Sequence, residues 1–330
     1  MKIAVIGAGA WGTAFSMHLA KKGLKPLVWV YEKELYDILK KERVNTYYLP
    51  SFILPEEIQF TTNLEDVYSW SDNIVIATPS FALRTIIAPF SQNLVNKHVL
   101  ILTKGLEVKS HLRMSEVVKE VVGNDFNIAV LSGPSFAKEV AERLFTLVVV
   151  ASKNKELASY FQKLIHDEDL RVYTSEDIIG VELGGAMKNV MAIGAGIIQG
   201  MHLGTNTQAA FVTRALAEIK RLGKVLGAQE VTFMGLSGIG DLILTSYGGL
   251  SRNRWFGMEL AKGRKPDEIL NSQNVAVEGY YTTRAAFAFS QHLNVEMPIT
   301  KELYKIIYEG KDIGSSLKDI KKRSLKEERE

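Results

Sequence analysis

The chain of 330 residues contains no cysteine. That absence excludes disulfide staples, thiolate nucleophiles and cysteine-ligated zinc, and fits a reducing compartment. Catalysis therefore has to use other side chains, and no metal is expected. A strong excess of either charge sign is also missing: 40 Lys and Arg face 37 Asp and Glu, a net charge of +3. The one dense basic stretch, Lys318 to Lys326, is interleaved with Asp319 and followed by Glu327 and Glu328, the pattern of a solvated tail rather than a nucleic-acid arm. A secretory signal is not apparent either, because the apolar run Met1 to Ile6 meets Gly7 at once. A cytoplasmic protein is expected. The longest apolar region, Ile178 to Leu203, would be long enough to span a bilayer. It carries Glu182, Lys188, His202 and several glycines, so a buried helix is expected and membrane insertion is not.

With 46% hydrophobic and 23% charged residues, the composition is that of an ordinary globular protein, and the length favours two domains. Short β-branched runs recur between helical stretches: Lys2 to Ile6, Leu27 to Val30, Asn73 to Ala77, Val99 to Thr103, Ile128 to Leu131 and Phe145 to Val150. Such alternation predicts an α/β fold with a Rossmann-like, doubly wound, mostly parallel sheet covered on both faces. From about Glu182 the period changes, with Phe211, Ala215, Ile219 and Leu222 at helical spacing. No Pro/Gly/Ser-rich linker marks the junction near Thr174 to Val181. The expected division is a dinucleotide-binding domain over 1–181 and an all-helical, substrate-binding domain over 182–330.

Directly after the first strand comes Gly7-Ala8-Gly9-Ala10-Trp11-Gly12, then an apolar helical stretch ending at Gly23. Strand, glycine turn and helix together match a dinucleotide site: Gly7 for the tight turn, Gly9 for close approach of a pyrophosphate, Gly12 for helix packing. The helix start adds free N–H groups and partial positive charge. At the end of the second strand sits Glu32, where a carboxylate would accept from the adenosine ribose and repel a 2′-phosphate, a leaning towards NAD over NADP. The adjacent Lys33 could offset that repulsion, and a plain solvated charge is the other reading of Glu32. Ala77-Thr78-Pro79-Ser80 and Thr103-Lys104-Gly105 fall at strand ends, where open α/β sheets hold their ligands.

The stretch from Glu182 to Gly196 reads as helix although each glycine costs roughly 1 kcal/mol relative to alanine. Small residues of this kind permit close approach of another backbone or of a ligand. Lys188 lies among them, either as a buried general acid/base with a depressed pKa or as a lysine snorkelling to water. Gly235-Leu-Ser-Gly-Ile-Gly-Asp241 is a glycine-rich turn ending in a carboxylate, and Ser251-Arg252-Asn253 offers a forked donor set suited to a phosphate.

Together with Gly133-Pro134-Ser135-Phe136-Ala137, Lys188-Asn189 and Val277-Glu278-Gly279, these segments resemble the bacterial NAD(P)-dependent glycerol-3-phosphate dehydrogenase family over nearly the whole chain, in order. The resemblance implies interconversion of dihydroxyacetone phosphate and sn-glycerol 3-phosphate for phospholipid synthesis. It implies Lys188 as proton acceptor in alcohol oxidation, with Lys104 and Asp241 beside it. Lys104, Gly133, Ser135, Asn189, Asp241, Thr245, Ser251, Arg252 and Asn253 match substrate positions. Trp11, Tyr31, Lys104, Ala137, Arg252, Ala276 and Glu278 match cofactor contacts, some through the backbone. A homodimer is expected by the same analogy. Two positions depart from the pattern: Tyr31 stands where relatives often carry Arg or His, which weakens the case for a 2′-phosphate, and Phe81 stands where His is frequent. The alternatives are a related two-domain reductase acting on a β-hydroxy acid and a non-catalytic dinucleotide sensor.

Overall fold

Alternate residues of the first strand, β1 (Lys2–Ile6), point to opposite faces of a sheet, and both sets are buried. Ile3 and Val5 pack with Phe15 and Leu19 on one side, Ala4 and Ile6 with Val67, Ile74 and Ile76 on the other. The computed structural model describes residues 1–123, 126–272, 276–325, 327 and 328. The remaining strands are β2 (Lys25–Trp29), β3 (Val44–Asn45), β4 (Leu49–Ile53), β5 (Gln59–Thr61), β6 (Asn73–Ile76), β7 (His98–Ile101), β8 (Ile128–Ser132), β9 (Thr146–Ala151) and β10 (Leu170–Ser175). Eight of them form one sheet in the order β10-β9-β8-β7-β6-β1-β2-β5, while β3 and β4 pair apart as a small antiparallel hairpin. Strands β5 to β8 in that order are mutually parallel, and the chain winds outward from β1 first to β2 and then to β6. The switch point between β1 and β6 is where a doubly wound sheet opens a ligand crevice.

Strand β9 runs antiparallel to β8, and β10 runs parallel to β9. The expected doubly wound sheet is therefore present, extended by two reversed strands. Strands β5 and β10 escape the sequence pattern for different reasons. β5 has three residues, too few to carry a period. β10 alternates, with Leu170 and Val172 buried and Arg171 and Tyr173 exposed, as a half-buried edge strand does.

The helix Ile178–Gly200 forms the axis of the second half, and nearly all of it is buried. It is long and apolar enough to cross a membrane, but it serves here as a core helix. Its first turn packs with the sheet through Ile178 and Val181, and from Leu183 onward it packs with the other helices. Its glycines are used for backbone contact. A Cβ on Gly184 would overlap the Ser237 carbonyl, one on Gly196 the Arg254 carbonyl, and one on Gly257 of the facing helix Arg252–Ala261 the Ile193 carbonyl. Gly257→Ala is accordingly expected to lower stability by about 1–3 kcal/mol or more through overpacking. A chemical-denaturation midpoint equal to wild type would show that the two helices can separate freely.

The described residues of the basic stretch, 318–325, are exposed as expected, although the first of them are helical. Lys318 and Lys321 belong to the last turn of the helix Ile313–Lys321, where cations complement the helix dipole. Arg323 reaches Glu296 at 2.5 Å, and Lys326 lies outside the described residues.

Candidate active site

Gly7 adopts φ +120°, and a Cβ there would stand 2.7 Å from the Ala77 carbonyl oxygen at the end of β6. A Cβ on Gly12 would overlap the Gly7 carbonyl, so the loop and the helix Ala10–Lys21 can close on the sheet only as glycines. Apart from its chain neighbours, no atom of the described residues comes within 4 Å of a Cβ on Gly9. The helix begins at Ala10 without a side-chain cap, which leaves its first N–H groups free. Trp11 Nε1 and Thr78 Oγ1 are buried beside this loop without a hydrogen-bond partner among the described residues.

The hairpin β3–β4, which the sequence pattern did not single out, braces the loop. Asn45, fully buried, donates to the Ala8 carbonyl (2.8 Å) and to Thr13 Oγ1 (2.7 Å), and accepts from Tyr48 N (3.0 Å). Tyr48 then donates to Glu32 Oε1 at 2.6 Å. Burial first, and this bond second, push the Tyr48 phenol pKa well above its ordinary range. Segment 44–53 has neither helical nor strand period, so no local signal marks these two residues. Tyr31, beside Glu32, is largely exposed and lies edge-on to Trp29, with ring centroids 5.9 Å apart. Lys33, exposed, opens the next helix.

A second constellation sits at the ends of β7 and β8. Asp241, fully buried at the start of the helix Asp241–Tyr247, accepts from Lys188 Nζ at 2.6 Å and from Lys104 Nζ at 2.7 Å. The close packing of Gly184 on Ser237 brings the glycine-rich turn, and with it Asp241, against the Lys188 helix. Lys104 also donates to the Gly133 carbonyl (3.0 Å), which Ser135 Oγ shares (2.9 Å). Thr245 Oγ1 donates to the Asp241 carbonyl at 2.7 Å. Burial lowers the Lys188 pKa to about 8; Asp241 opposes this and the Lys104 charge adds to it. Burial alone would raise the Asp241 carboxyl, but the two ammonium groups outweigh it and hold its pKa below the ordinary carboxylate value. Lys188 is thus buried rather than snorkelling.

Arg252 follows Ser251, whose hydroxyl caps the helix Arg252–Ala261 by accepting from Arg254 N. Its guanidinium is reachable by water although protein closes round it. The desolvation lowers its pKa, against the fields of Glu278 and Tyr48. Among the described residues no protein group hydrogen-bonds that guanidinium. Asn253 is committed instead: Nδ2 donates to Asn189 Oδ1 (2.9 Å) and Oδ1 accepts from Gly279 N (2.8 Å). Glu278 opens the helix Glu278–His292 and accepts from Ser80 N and Oγ. Ala276 lies just before that helix, and Ala137 is the first residue of the short helix Ala137–Ala141. Phe81 packs on Tyr281, with centroids 4.6 Å apart. Among the described residues, no group of three or more His, Asp or Glu is placed to hold a metal ion.

A model of the NAD-dependent glycerol-3-phosphate dehydrogenase N-terminus matches residues 2–158, and the corresponding C-terminus model matches residues 177–318. The chain belongs to this family. Two curated relatives, each named glycerol-3-phosphate dehydrogenase [NAD(P)+], come from Syntrophotalea carbinolica and Enterococcus faecalis. The first is 44% identical and covers 99% of both chains; the second is 43% identical and covers 100% of this chain and 98% of its own. The crystal structure of glycerol-3-phosphate dehydrogenase from Coxiella burnetii superposes with a TM-score of 0.94 at 38% identity, covering 98% of this chain and 99% of that one.

As a glycerol-3-phosphate dehydrogenase family member, the chain is an oxidoreductase that uses a nicotinamide dinucleotide. Its crevice fits that cofactor. The clear approach to Gly9, the uncapped N–H groups from Ala10 onward and the unpartnered Trp11 and Thr78 donors together suit a pyrophosphate better than plain packing does.

Proposed function

We propose that the chain interconverts dihydroxyacetone phosphate and sn-glycerol 3-phosphate for phospholipid synthesis, with Lys188 as the general acid/base. The observation that carries this reading is the single buried Asp241 carboxylate shared by the ammonium groups of Lys188 and Lys104. When bound, the nicotinamide gives or takes the hydride at the substrate C2. In the reducing direction the Lys188 ammonium donates its proton to the oxygen developing on C2, and in the oxidising direction the amine takes that proton back. Lys104 donates to the same oxygen, where growing negative charge is best met by fixed donors. Asp241 orients both lysines and keeps their combined charge tolerable in a buried place. Thr245, Asn189, Ser135 and the Gly133 backbone shape the substrate wall. Arg252, with Ser251 and the remaining Asn253 amide proton, holds the phosphate; its unengaged fork is suited to bidentate recognition.

For the dinucleotide we propose Gly7, Gly9, Ala10, Trp11 and Gly12 at the pyrophosphate, Tyr31 and Glu32 at the adenosine ribose, and Lys104, Ala137, Arg252, Ala276 and Glu278 around the remainder. Because Tyr48 holds Glu32 in place, the carboxylate is a fixed obstacle to a 2′-phosphate. Glu32→Ser is expected to raise the NADPH-to-NADH ratio of kcat/KM by about tenfold, the scale of relieving a like-charge contact. An unmoved ratio would mean that Glu32 does not face the ribose.

We place the domain boundary at 181/182, where the long helix passes from the sheet core to the helical core, and keep a cytoplasmic homodimer as the working assembly. The deciding experiment is oxidation of NADH and of NADPH with dihydroxyacetone phosphate against unphosphorylated dihydroxyacetone. Efficient turnover of the phosphorylated ketone is expected. Turnover of neither would leave a dinucleotide-binding protein without this chemistry.

A further inference from the structure

A chain of hydrogen bonds runs from the helix that carries Lys188 to the loop after β6. Asn189, next to Lys188, accepts from Asn253 Nδ2 at 2.9 Å, and Asn253 Oδ1 accepts from Gly279 N at 2.8 Å. The preceding residue, Glu278, accepts from Ser80 N at 3.0 Å through Oε1 and from Ser80 Oγ at 2.6 Å through Oε2. Ser80 is almost completely buried. Gly105, adjacent to Lys104, packs on both partners: a Cβ there would stand 2.6 Å from Ser80 Cβ and 3.2 Å from the Glu278 carboxylate. One turn along the same helix, Tyr281 carries the ring of Phe81. The loops that follow β6 and β7 are thus both held to the first turn of Glu278–His292.

We propose that Ser80 is a positioning residue whose latch on Glu278 couples dinucleotide binding to substrate binding. The proposal rests on the substrate reading given above. Ser80 engages both oxygens of Glu278, so the carboxylate proposed beside the dinucleotide is also tied to the Ser80 loop. A dinucleotide in the crevice holds that loop from one side. A phosphate gripped at Arg252 and Asn253 holds Asn253, Gly279 and Glu278 from the other. Each ligand requires the same closed latch, so the first to bind raises the population of the closed form that the second needs. By linkage the effect is reciprocal.

The test uses the full-length protein and NADH fluorescence titrations, with and without saturating glycerol 3-phosphate, a pair of reduced ligands that cannot react together. Wild type is expected to bind NADH at least about tenfold more tightly when glycerol 3-phosphate is present, within the usual range of such couplings. In Ser80→Ala the factor is expected to fall to within about twofold of one, because one hydrogen bond to a charged group is lost. Its affinity for NADH alone should change less than about threefold. If glycerol 3-phosphate binds wild type and the factor is one, or if Ser80→Ala keeps the wild-type factor, the latch is overturned and the substrate reading stands. Weakened NADH binding with the factor intact would make Ser80 a direct cofactor contact, which also overturns it. If glycerol 3-phosphate does not bind wild type at all, in a titration of its own with and without NADH, the substrate reading fails and takes the coupling with it.

Discussion

Lys188→Ala is expected to lower kcat by about a hundredfold or more, the scale of losing a positioned general acid or base, while NADH still binds. The variant should fold, because Asp241 keeps Lys104 as a counter-ion at 2.7 Å and is not left as a lone buried charge. The wild-type pH dependence carries the same assignment. With the Lys188 pKa lowered to about 8, the ammonium needed for ketone reduction is present below that value. Reductive kcat/KM should therefore fall as pH rises through about 8. Alcohol oxidation needs the neutral amine, so oxidative kcat/KM should rise over the same interval. Both inflections should vanish in Lys188→Ala. Near wild-type turnover in the variant, or a wild-type profile flat between pH 7 and about 9 in both directions, would remove Lys188 from the mechanism.

Arg252→Ala should cost several kcal/mol of transition-state binding towards dihydroxyacetone phosphate, because a charge-assisted contact is lost and the phosphate is left underpaired. The guanidinium has no hydrogen-bond partner to lose among the described residues, only the fields of Glu278 and Tyr48, so the damage should be mainly functional. Unphosphorylated dihydroxyacetone cannot use the contact, and its already poor kcat/KM should fall far less. The ratio between the two substrates is expected to shrink by at least about tenfold, or roughly 1.4 kcal/mol. Arg252→Lys should recover part of the loss, since a point charge lacks the planar fork. NADH affinity has to be measured in each variant, because Arg252 also borders the proposed cofactor site. Equal losses on both substrates with NADH binding intact would move the phosphate grip to Lys104, Ser251 or Asn253.

The glycine loop was legible because its requirements are local: Gly7 and Gly12 are dictated by a turn and a contact within a few residues of each other. The purpose of the glycines in Ile178–Gly200 was half legible. Their cost announced a close approach, but not that Ser237, Arg254 and Gly257 would make it. Lys104, Lys188 and Asp241 each stood out for chemical reasons. Their meeting depends on three segments far apart in the chain, which no spacing encodes, and the family resemblance rather than periodicity brought them together. Asn45 and Tyr48 were invisible, since an irregular hairpin has no period and a buried asparagine is chosen by the groups around it. For Phe81 the sequence offered a departure without a reason. The structure adds a partner, Tyr281, and a place beside the Ser80 latch.

The reversal of β9 and β10 has a consequence for how Lys188 is delivered. Running against the other strands, β10 releases the chain at the edge of the sheet opposite the crevice, and the helix from Ile178 must climb back across the sheet. Lys188 lies ten residues in, about 15 Å of helical rise, close to the ~17 Å height of a five-residue strand. The lysine arrives level with Lys104 because a ruler of helix has been matched to a ruler of strand. One residue inserted between Asp177 and Lys188 would carry the ammonium about 1.5 Å further and swing it roughly 100° about the axis, away from Asp241. In the surface loops a length change would be absorbed locally. Here it would misaim the proton donor while leaving every residue of the site present in the sequence.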